Sequence, residues 1–369
     1  MKAFFLVENL QKKLTFLNHA VSGRNQLPIL SNYLLETKKG KLIISATDLE
    51  IGIVSSVPAK VETEGTVTVP AKTFSDLVSN MSEGKAEISL KDSNLYLTGG
   101  KVEAVFQTSP ADDFPRIFED KGIQIASLKK EAIEKDFQKV VFAASQDGGR
   151  PALSGLLIKK EKKGFSLVAT DGYRLSLKTS VSIGKGEGGF EKILVPSRVI
   201  RELLAIKEES QDIEISISKK TNQILFFLAD TVLVGRLIEA EYPAYEKIIP
   251  SQSSTKVEFD REKMQNAVRI CSVFARETAN IIRFSLKKDK IFVSANTPSV
   301  GEDKVEVEAK IAGGENEIAF NARYLLDVLS SLQEDELTFE MTGPLSPGVF
   351  RIKNDPTFLH LIMPIRVQA

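Results

Sequence analysis

Three stretches of the chain share one pattern, in which a short apolar strand leads directly into an amphipathic helix. They are VTVPAKTFSDLV at residues 67–78, KILVPSRVIRELL at residues 192–204 and EIAFNARYLLDVL at residues 317–329. When Pro70, Pro196 and Asn321 are superposed, they lie 126 and 125 residues apart. This nearly constant offset predicts three tandem copies of one domain.

The helix in each copy carries the same apolar face. Phe74, Ile200 and Leu325 occupy equivalent positions, and further apolar residues follow three and four positions later in every copy. Residues at these spacings lie on one side of an α-helix. We therefore expect one buried helix face per copy, formed by Phe74, Leu77, Val78, Ile200, Leu203, Leu204, Leu325, Val328 and Leu329.

Other segments recur at a similar spacing. Helical patterns open the copies at residues 9–22, 129–144 and 260–275. Alternating strands follow later, as EISL at Glu87, EISI at Glu214 and LTFE at Leu337, and the pairs Phe114-Pro115, Tyr242-Pro243 and Met363-Pro364 close the copies. A repeat of roughly 120 residues is far longer than a solenoid unit, so each copy should have its own core.

The order of elements predicts an α+β fold. Each copy is expected to contain a helix, two or three strands, a second helix and three further strands. An antiparallel sheet can leave one face to solvent, so two helices packed on the other face form the simplest layered arrangement. The predicted domains are residues 1–122, 123–250 and 251–369.

Composition indicates a globular chain outside the membrane. The 369 residues are 42% hydrophobic and 27% charged, and the longest apolar runs, such as 224–229, are far below the ~20 residues that span a bilayer. Residues 1–17 mix charge into their apolar stretch, unlike a signal peptide. A cytoplasmic location with no membrane partner is expected.

The sequence offers little for metal or disulfide chemistry. Cys271 is the single cysteine, and His19 and His360 are the only histidines. One cysteine cannot form an intrachain disulfide, and neither histidine has a metal-ligand spacing. We expect no metal and no cofactor. Cys271 lies in the apolar helical pattern VRICSVF and is most simply a packed thiol.

Basic residues recur at equivalent places although the whole chain is neutral, with 49 cationic and 49 anionic residues. Lys72, Arg198 and Arg323 each stand two residues after the superposed Pro or Asn. A first helical turn disfavours cations, so three such exceptions favour a shared role. With Arg24 and Arg150 in loops after the opening helices, they predict a surface that contacts duplex DNA through phosphates, independently of sequence.

Enzyme readings of the sequence have weaker support. GKGEGG at 184–189 fits a dinucleotide pattern, but residues 192–196 after it predict a strand instead of the required helix. Asp48 and Asp171 recur in equivalent Thr-Asp turns and are expected to bond their own backbone. Two alternatives stay open: an interaction scaffold that never encircles DNA, and a metal-free hydrolase with a polar pocket around Asp171.

Several segments together resemble the bacterial sliding clamp, the beta subunit of DNA polymerase III. They are LPILSNYLLE at Leu27, VPAK at Val69, PADDFP at Pro110, ATDGYRLS at Ala169, EYPAYEKIIP at Glu241, FNARYLLDVL at Phe320 and MPIR at Met363. The resemblance implies a non-enzymatic processivity factor whose two crescents join head to tail as a homodimeric ring around DNA. It places the dimer interface near Phe106, Ile270 and Cys271.

The resemblance also implies a pocket for short linear peptides of partner proteins. These partners would be the polymerase III catalytic subunit, the clamp loader, other polymerases and repair proteins. Tyr173, Lys247 and Ile365 depart from the residues most frequent there. The implied pocket residues are Leu153, Thr170, Gly172, Tyr173, Arg174, Leu175, Pro243, Lys247, Ile248, Ile362, Met363, Pro364, Ile365 and Arg366.

Overall fold

A computed structural model describes residues 1–23, 27–162, 164–181, 190–207, 212–277, 279–299 and 301–366. The described residues form 24 strands and six α-helices. The order strand, helix, four strands, helix, three strands occurs three times along the chain. The threefold repeat predicted from the sequence is therefore confirmed.

The bounds of the elements follow chain order. The first repeat contains β1 (Lys2–Leu6), α1 (Val7–Leu17), β2 (Asn32–Lys38), β3 (Lys41–Thr47), β4 (Ile51–Thr63), β5 (Gly65–Pro70), α2 (Ala71–Ser79), β6 (Lys85–Lys91), β7 (Asn94–Gly99) and β8 (Val102–Gln107). The second contains β9 (Ile123–Lys129), α3 (Lys130–Val141), β10 (Gly155–Lys160), β11 (Phe165–Thr170), β12 (Arg174–Val181), β13 (Lys192–Pro196), α4 (Ser197–Ala205), β14 (Asp212–Ser218), β15 (Gln223–Phe227) and β16 (Thr231–Arg236). The third contains β17 (Thr255–Asp260), α5 (Arg261–Ala275), β18 (Ile281–Lys287), β19 (Lys290–Thr297), β20 (Gly301–Ala312), β21 (Asn316–Asn321), α6 (Ala322–Ser331), β22 (Glu336–Met341), β23 (Gly348–Ile352) and β24 (Asp355–Ile362).

Two details of the sequence prediction are wrong. Each repeat opens with a strand, not with a helix, and four strands lie between the two helices instead of two or three. The opening strand was missed because no glycine or proline separates it from the helix. Leu6 ends β1 and directly precedes α1 without a side-chain cap, so the apolar pattern runs on without a break.

The chain forms two compact units that do not coincide with the three repeats. One comprises the described residues within Met1–Glu131, Ile183–Phe190 and Arg198–Leu237, and the other those within Ala132–Ser182, Glu191–Ser197 and Ile238–Ala369. The strands of the central repeat are shared between them, with β9 and β14–β16 in the first unit and β10–β13 in the second. The domain boundaries inferred from the repeats stay a prediction.

The first unit is built on one 12-stranded sheet. Its main path is β8-β7-β6-β1-β4-β16-β15-β14-β9, and β2, β3 and β5 join through the β3–β4 pair. Helix α1 packs against α2 and against β4 of this sheet. The ring of Phe74 on α2 lies 6.3 Å from that of Tyr33 and 5.5 Å from that of Phe106. Helix and sheet therefore share one aromatic core.

The second unit has a second 12-stranded sheet, in the order β13-β10-β11-β12-β24-β23-β22-β17-β20-β19-β18-β21. Helix α5 packs against α6 and against β18, β19 and β20. Phe284, Phe320, Phe339 and Phe350 form a buried cluster beneath these helices, with ring centroids 5.0 to 6.2 Å apart. Two helices on an antiparallel sheet is the layer arrangement that the sequence predicted.

The apolar helix face predicted from the repeat is confirmed. Phe74, Ile200 and Leu325 have no solvent exposure, and only Leu77 and Leu204 of the nine predicted residues are partly exposed. Within the described residues, no helix is both long enough and apolar enough to cross a bilayer.

A buried histidine joins two strands of the second sheet. His360 on β24 pairs with Ser176 on β12, and its Nδ1 lies 2.6 Å from the Ser176 Oγ. Its Nε2 is buried without a hydrogen-bond partner. Burial, with a smaller effect from the Arg174 charge, holds the pKa of His360 well below its ordinary value. The ring is therefore neutral in the folded chain at neutral pH.

Acidification should destabilise the chain through His360. Below pH ~6.5 the unfolded chain takes up a proton at this ring and the folded chain does not, so the free energy of unfolding falls by about 1.4 kcal/mol per pH unit. His360→Gln should flatten this slope in urea unfolding between pH 5 and 7. The control is His19→Gln, which removes the other histidine. An unchanged slope in His360→Gln would contradict the assignment.

Candidate functional site

A tight turn between β11 and β12 shapes the candidate pocket. The Thr170 hydroxyl donates to the Arg174 carbonyl at 2.6 Å, and Asp171 Oδ1 accepts from the amides of Tyr173 and Arg174 at 2.9 and 3.0 Å. Asp48 makes the equivalent bonds in the first repeat. The repeated Asx turn predicted from the sequence is confirmed. The side chain of Tyr173, whose amide is one of the two donors, is exposed on this turn.

One position of this turn has a left-handed backbone, which favours glycine. Gly172 has φ of +93°, and a Cβ there would lie 3.6 Å from Arg150 Nη1 and 4.0 Å from Leu153 Cδ1. Leu49 holds the equivalent place in the first repeat with φ of +76°. The absence of a side chain at Gly172 leaves the space beside Leu153 open.

Arg174 supports the turn from beneath. Its Nε donates to Asp171 Oδ2 at 3.0 Å, one terminal nitrogen donates to Asp327 on α6, and the other donates to the Phe142 carbonyl at 3.1 Å. The guanidinium also lies over the Tyr324 ring, 4.6 Å from its centroid. Arg174 is only 9% exposed. It therefore positions the turn and does not itself offer a free charge.

The predicted pocket residues all belong to the second unit and divide into a buried group, here called the floor, and an exposed group, here called the rim. Tyr173 and Met363 are adjacent on the rim, because the Met363 amide donates to the Tyr173 carbonyl at 2.8 Å. The buried floor residues are Leu153, Thr170, Arg174, Leu175 and Ile362. The exposed rim residues are Gly172, Tyr173, Pro243, Lys247, Ile248, Met363 and Arg366, with Pro364 and Ile365 partly exposed.

Several large apolar side chains are exposed on the rim. Tyr173 is 61% exposed, Ile248 44% and Met363 38%. Beneath them, Leu175 and Leu361 pack in a cluster with the buried Tyr245. Large apolar side chains held in place over a packed layer are typical of a surface that binds a partner.

A polar cavity of about 390 Å³ lies beside Asp171, as the hydrolase alternative required. Arg150, Tyr173 and Tyr324 contribute to its lining. Both Asp171 carboxylate oxygens are already engaged, one by two backbone amides and the other by Arg174. A carboxylate held in this way serves the turn and is poorly placed to accept a proton from a substrate.

The three equivalent cations lie in the first turns of α2, α4 and α6, as predicted, but they differ in exposure and in ion pairing. Lys72 and Arg323 are exposed, and neither has an ion-pair partner among the described residues. Arg198 donates to Asp48 Oδ2 at 2.5 Å and to the His19 carbonyl at 2.8 Å. Its charge is therefore partly neutralised. Arg150 is exposed, and Arg24 lies outside the described residues, as does the 184–189 segment.

The predicted interface residues are not equally accessible. Phe106 is 6% exposed and packs on Phe74, and Cys271 is fully buried. Burial, followed by the neighbouring Asp303, raises the pKa of the Cys271 thiol to about 12, as befits a packed thiol. Ile270 is 45% exposed. The sequence reasoning missed two exposed apolar residues close to these in the chain. Val273 on α5 is 60% exposed, and Val105 on β8 is 59% exposed.

Strand edges are paired in a regular way. The last strand of the second repeat, β16, pairs with β4 of the first repeat, and the last strand of the third repeat, β24, pairs with β12 of the second. The last strand of the first repeat, β8, has only β7 as a ladder partner among the described strands. Residues 301–308 of β20 likewise pair only with β19 in the described chain.

No group of three or more His, Cys, Asp or Glu side chains in the described ranges could hold a metal ion. Asp303 Oδ2 and His360 Nε2 are the buried side-chain atoms without a hydrogen-bond partner in those ranges. They lie in different strands and do not form a shared ligand set.

Family models match the chain in three consecutive segments. The N-terminal, central and C-terminal domains of the DNA polymerase III beta subunit match residues 1–118, 127–244 and 246–366. The chain is 29% identical to a beta sliding clamp of Synechocystis sp. over 390 residues, covering all of both chains. It is 27% identical to that of Chlamydia muridarum, over 97% of this chain and 96% of the relative.

Solved structures agree with these sequence matches. The DNA polymerase sliding clamp of Bacillus subtilis superposes with a TM-score of 0.93 at 26% identity, and the DNA polymerase III beta subunit of Thermotoga maritima with 0.90 at 26% identity. Both superpositions cover all of each chain. The repeat, the fold and the full length are therefore shared with these proteins.

Proposed function

The chain belongs to the DNA polymerase III beta subunit family and functions as a DNA sliding clamp, and we propose that two copies close head to tail around duplex DNA. The observation that carries this proposal is the pattern of strand edges. In each repeat the last strand pairs with an earlier strand of the preceding repeat, except that β8 has no preceding repeat in its own chain. A second copy would supply the missing edge through its β20.

The two pairings inside the chain give the register of this contact. Ser55 lies opposite Thr231 and Ile51 opposite Gly235, and in the second unit Lys178 lies opposite Phe358 and Arg174 opposite Ile362. Each of these pairings can be transferred to the equivalent residues of β20 in one copy and β8 in the other. Both then place Val305 opposite Val102, Lys304 opposite Glu103 and Asp303 opposite Ala104. The same register results from two independent strand pairs.

Side-chain directions agree with this register. Glu103 and Lys304 are exposed, whereas Ala104 and Asp303, their strand neighbours, are half-buried on the helix side. Lys304 lies on the face of the sheet opposite the helices, with its Nζ 4.1 Å from the centroid of the Phe292 ring. The proposed contact therefore joins a cation to an anion on one face, and on the other it places Val305 opposite Val102 and Asp303 opposite Ala104. Ile270 and Val273 offer apolar surface on the same repeat.

A contact between two different edges is heterologous, so it must either close or grow into a filament. Six repeats in two copies would close it and pair the free edges of β8 and of residues 301–308 of β20, which also removes a site for aggregation. Lys72, Arg150 and Arg323, with Arg24 and the partly neutralised Arg198, would contact phosphates. Such contacts are weak, salt-dependent and independent of sequence, which suits sliding.

The Tyr173–Met363 pocket would hold partner peptides. Its apolar rim suits leucine and phenylalanine anchors, and the buried Arg174 keeps the turn in place before a peptide arrives. By this proposal the partners are the polymerase III catalytic subunit, the clamp loader, other polymerases and repair proteins. Peptide binding requires only contact, so the chain itself would catalyse no reaction and take no cofactor.

Domain organisation and location form part of the same proposal. The domains would be residues 1–122, 123–250 and 251–369, which agrees within a few residues with the segments matched by family models, except that these leave gaps between them. The chain would act in the cytoplasm at the nucleoid, without a membrane partner.

Reversing one charge of the Glu103–Lys304 pair should weaken the dimer. Glu103→Lys places two lysines opposite each other at both interfaces, at a cost of about 1 kcal/mol each, so the dimer dissociation constant should rise roughly 30-fold. Adding Lys304→Glu to the same chain should restore most of the affinity. Sedimentation of the two single variants and the double variant measures this effect.

Lys287→Glu is the control, because Lys287 is exposed on β18 and lies on neither β8 nor β20. A dimer unaffected by either single reversal would exclude this register. If the double variant lost as much dimer affinity as the two single variants together, the two residues would not be in contact.

Loss of apolar rim side chains should uncouple the polymerase from the clamp. Tyr173→Ala with Met363→Ala removes exposed groups only, so folding and ring closure should be retained. On a singly primed circle with loader and polymerase, this variant should load normally but lose most of the stimulation of primer extension. The exposed Leu345→Ala is the control. Full stimulation by the double variant would exclude this pocket as the polymerase site.

A further inference from the structure

An apolar cavity lies in the first unit, away from every residue assigned above. It measures about 680 Å³ and opens on the face of the sheet formed by β4, β1 and β6. The residues that define it are Phe4, Leu6, Pro58, Ala59, Lys60 and Lys85. None of these residues belongs to the phosphate contacts, the partner pocket or the dimer contact.

Strand register explains how the cavity is built. Phe4 on β1 lies between Lys60 on β4 and Glu87 on β6, and Leu6 lies opposite Lys85. Because side chains alternate along a strand, Lys2, Phe4 and Leu6 share one face. Ala3 and Phe5 point the other way and are buried in the core. Leu6 is 39% exposed, which is unusual for a leucine held in a central strand.

The charges around the cavity are unevenly distributed. At one end, Lys2 Nζ lies 3.0 Å from Glu62 and 3.8 Å from Glu87, so both carboxylates are compensated by one ammonium group. At the apolar end stand two lysines. Lys60 has a side chain that is 79% exposed, with its Nζ 4.0 Å from Glu62, and Lys85 is exposed and has no ion pair among the described residues. Three ammonium groups thus face two carboxylates. The apolar floor therefore has a positively charged rim.

We propose that this groove binds a short acidic peptide segment that carries one aromatic or leucine anchor. The volume suits one large side chain and its neighbours, and the lysines would attract the flanking carboxylates. A nucleic acid is less suited to it. Successive bases stack on several aromatic faces, and Phe4 is the one partly exposed aromatic side chain among the residues that line the cavity.

The full chain can be tested with the fluorescein-labelled peptide acetyl-Asp-Glu-Phe-Leu-Asp-Glu-amide. The Tyr173→Ala, Met363→Ala chain serves as the background, so that the other peptide pocket does not contribute. Fluorescence anisotropy should show saturable binding that weakens with added salt. Lys60→Glu with Lys85→Glu should weaken it at least roughly tenfold. Phe4→Ala should also weaken it, through loss of the apolar floor.

Two controls separate the possible occupants. Lys287→Glu with Lys310→Glu reverses exposed lysines elsewhere and should leave binding unchanged. A peptide with lysine in place of each acidic residue should not bind. Equal binding of the acidic peptide to the Lys60, Lys85 variant would overturn the proposal. So would tighter, Phe4-dependent binding of labelled oligothymidylate, which would assign the groove to single-stranded nucleic acid.

Discussion

Antiparallel pairing between strands of successive repeats is the interaction on which the rest of the structure depends. It is formed twice within the chain, by β16 on β4 and by β24 on β12. Each pairing extends one sheet across a repeat boundary, which is why the compact units contain 12 strands each and divide the central repeat. The same rule leaves one edge of β8 and one edge of residues 301–308 of β20 unpaired among the described strands, and ring closure by two copies would pair these edges.

The position of the proposed partner pocket is a consequence of one of these pairings. Strand β24 lies along β12 with Ile362 opposite Arg174, and the chain then continues past the turn at Tyr173. The tail residues reach the rim only because the strand before them is fixed in this register. Arg174 secures the other side through Asp171 and Asp327. The proposed peptide site therefore lies between the turn at Tyr173 and the residues that follow β24. It does not depend on a cavity inside a single domain.

Much of this architecture could be predicted from local sequence. The repeat, the buried helix face at Phe74, Ile200 and Leu325, and the Asx turns at Asp48 and Asp171 all depend on residues close together in the chain. Strand pairing across repeats could not be predicted, because alternation shows which face of a strand is buried but not which edge it joins. The partial neutralisation of Arg198 was also missed, since its partner Asp48 lies 150 residues away.

The central claim is that the protein holds DNA by encircling it. The most direct test measures retention on a circular nicked duplex, loaded by a clamp loader, before and after the circle is cut at one site. The account predicts that the protein stays on the intact circle through high salt and is released when the circle is linearised. Retention that ignores the cut and fades only as salt rises would show an ordinary electrostatic binder and would contradict the ring.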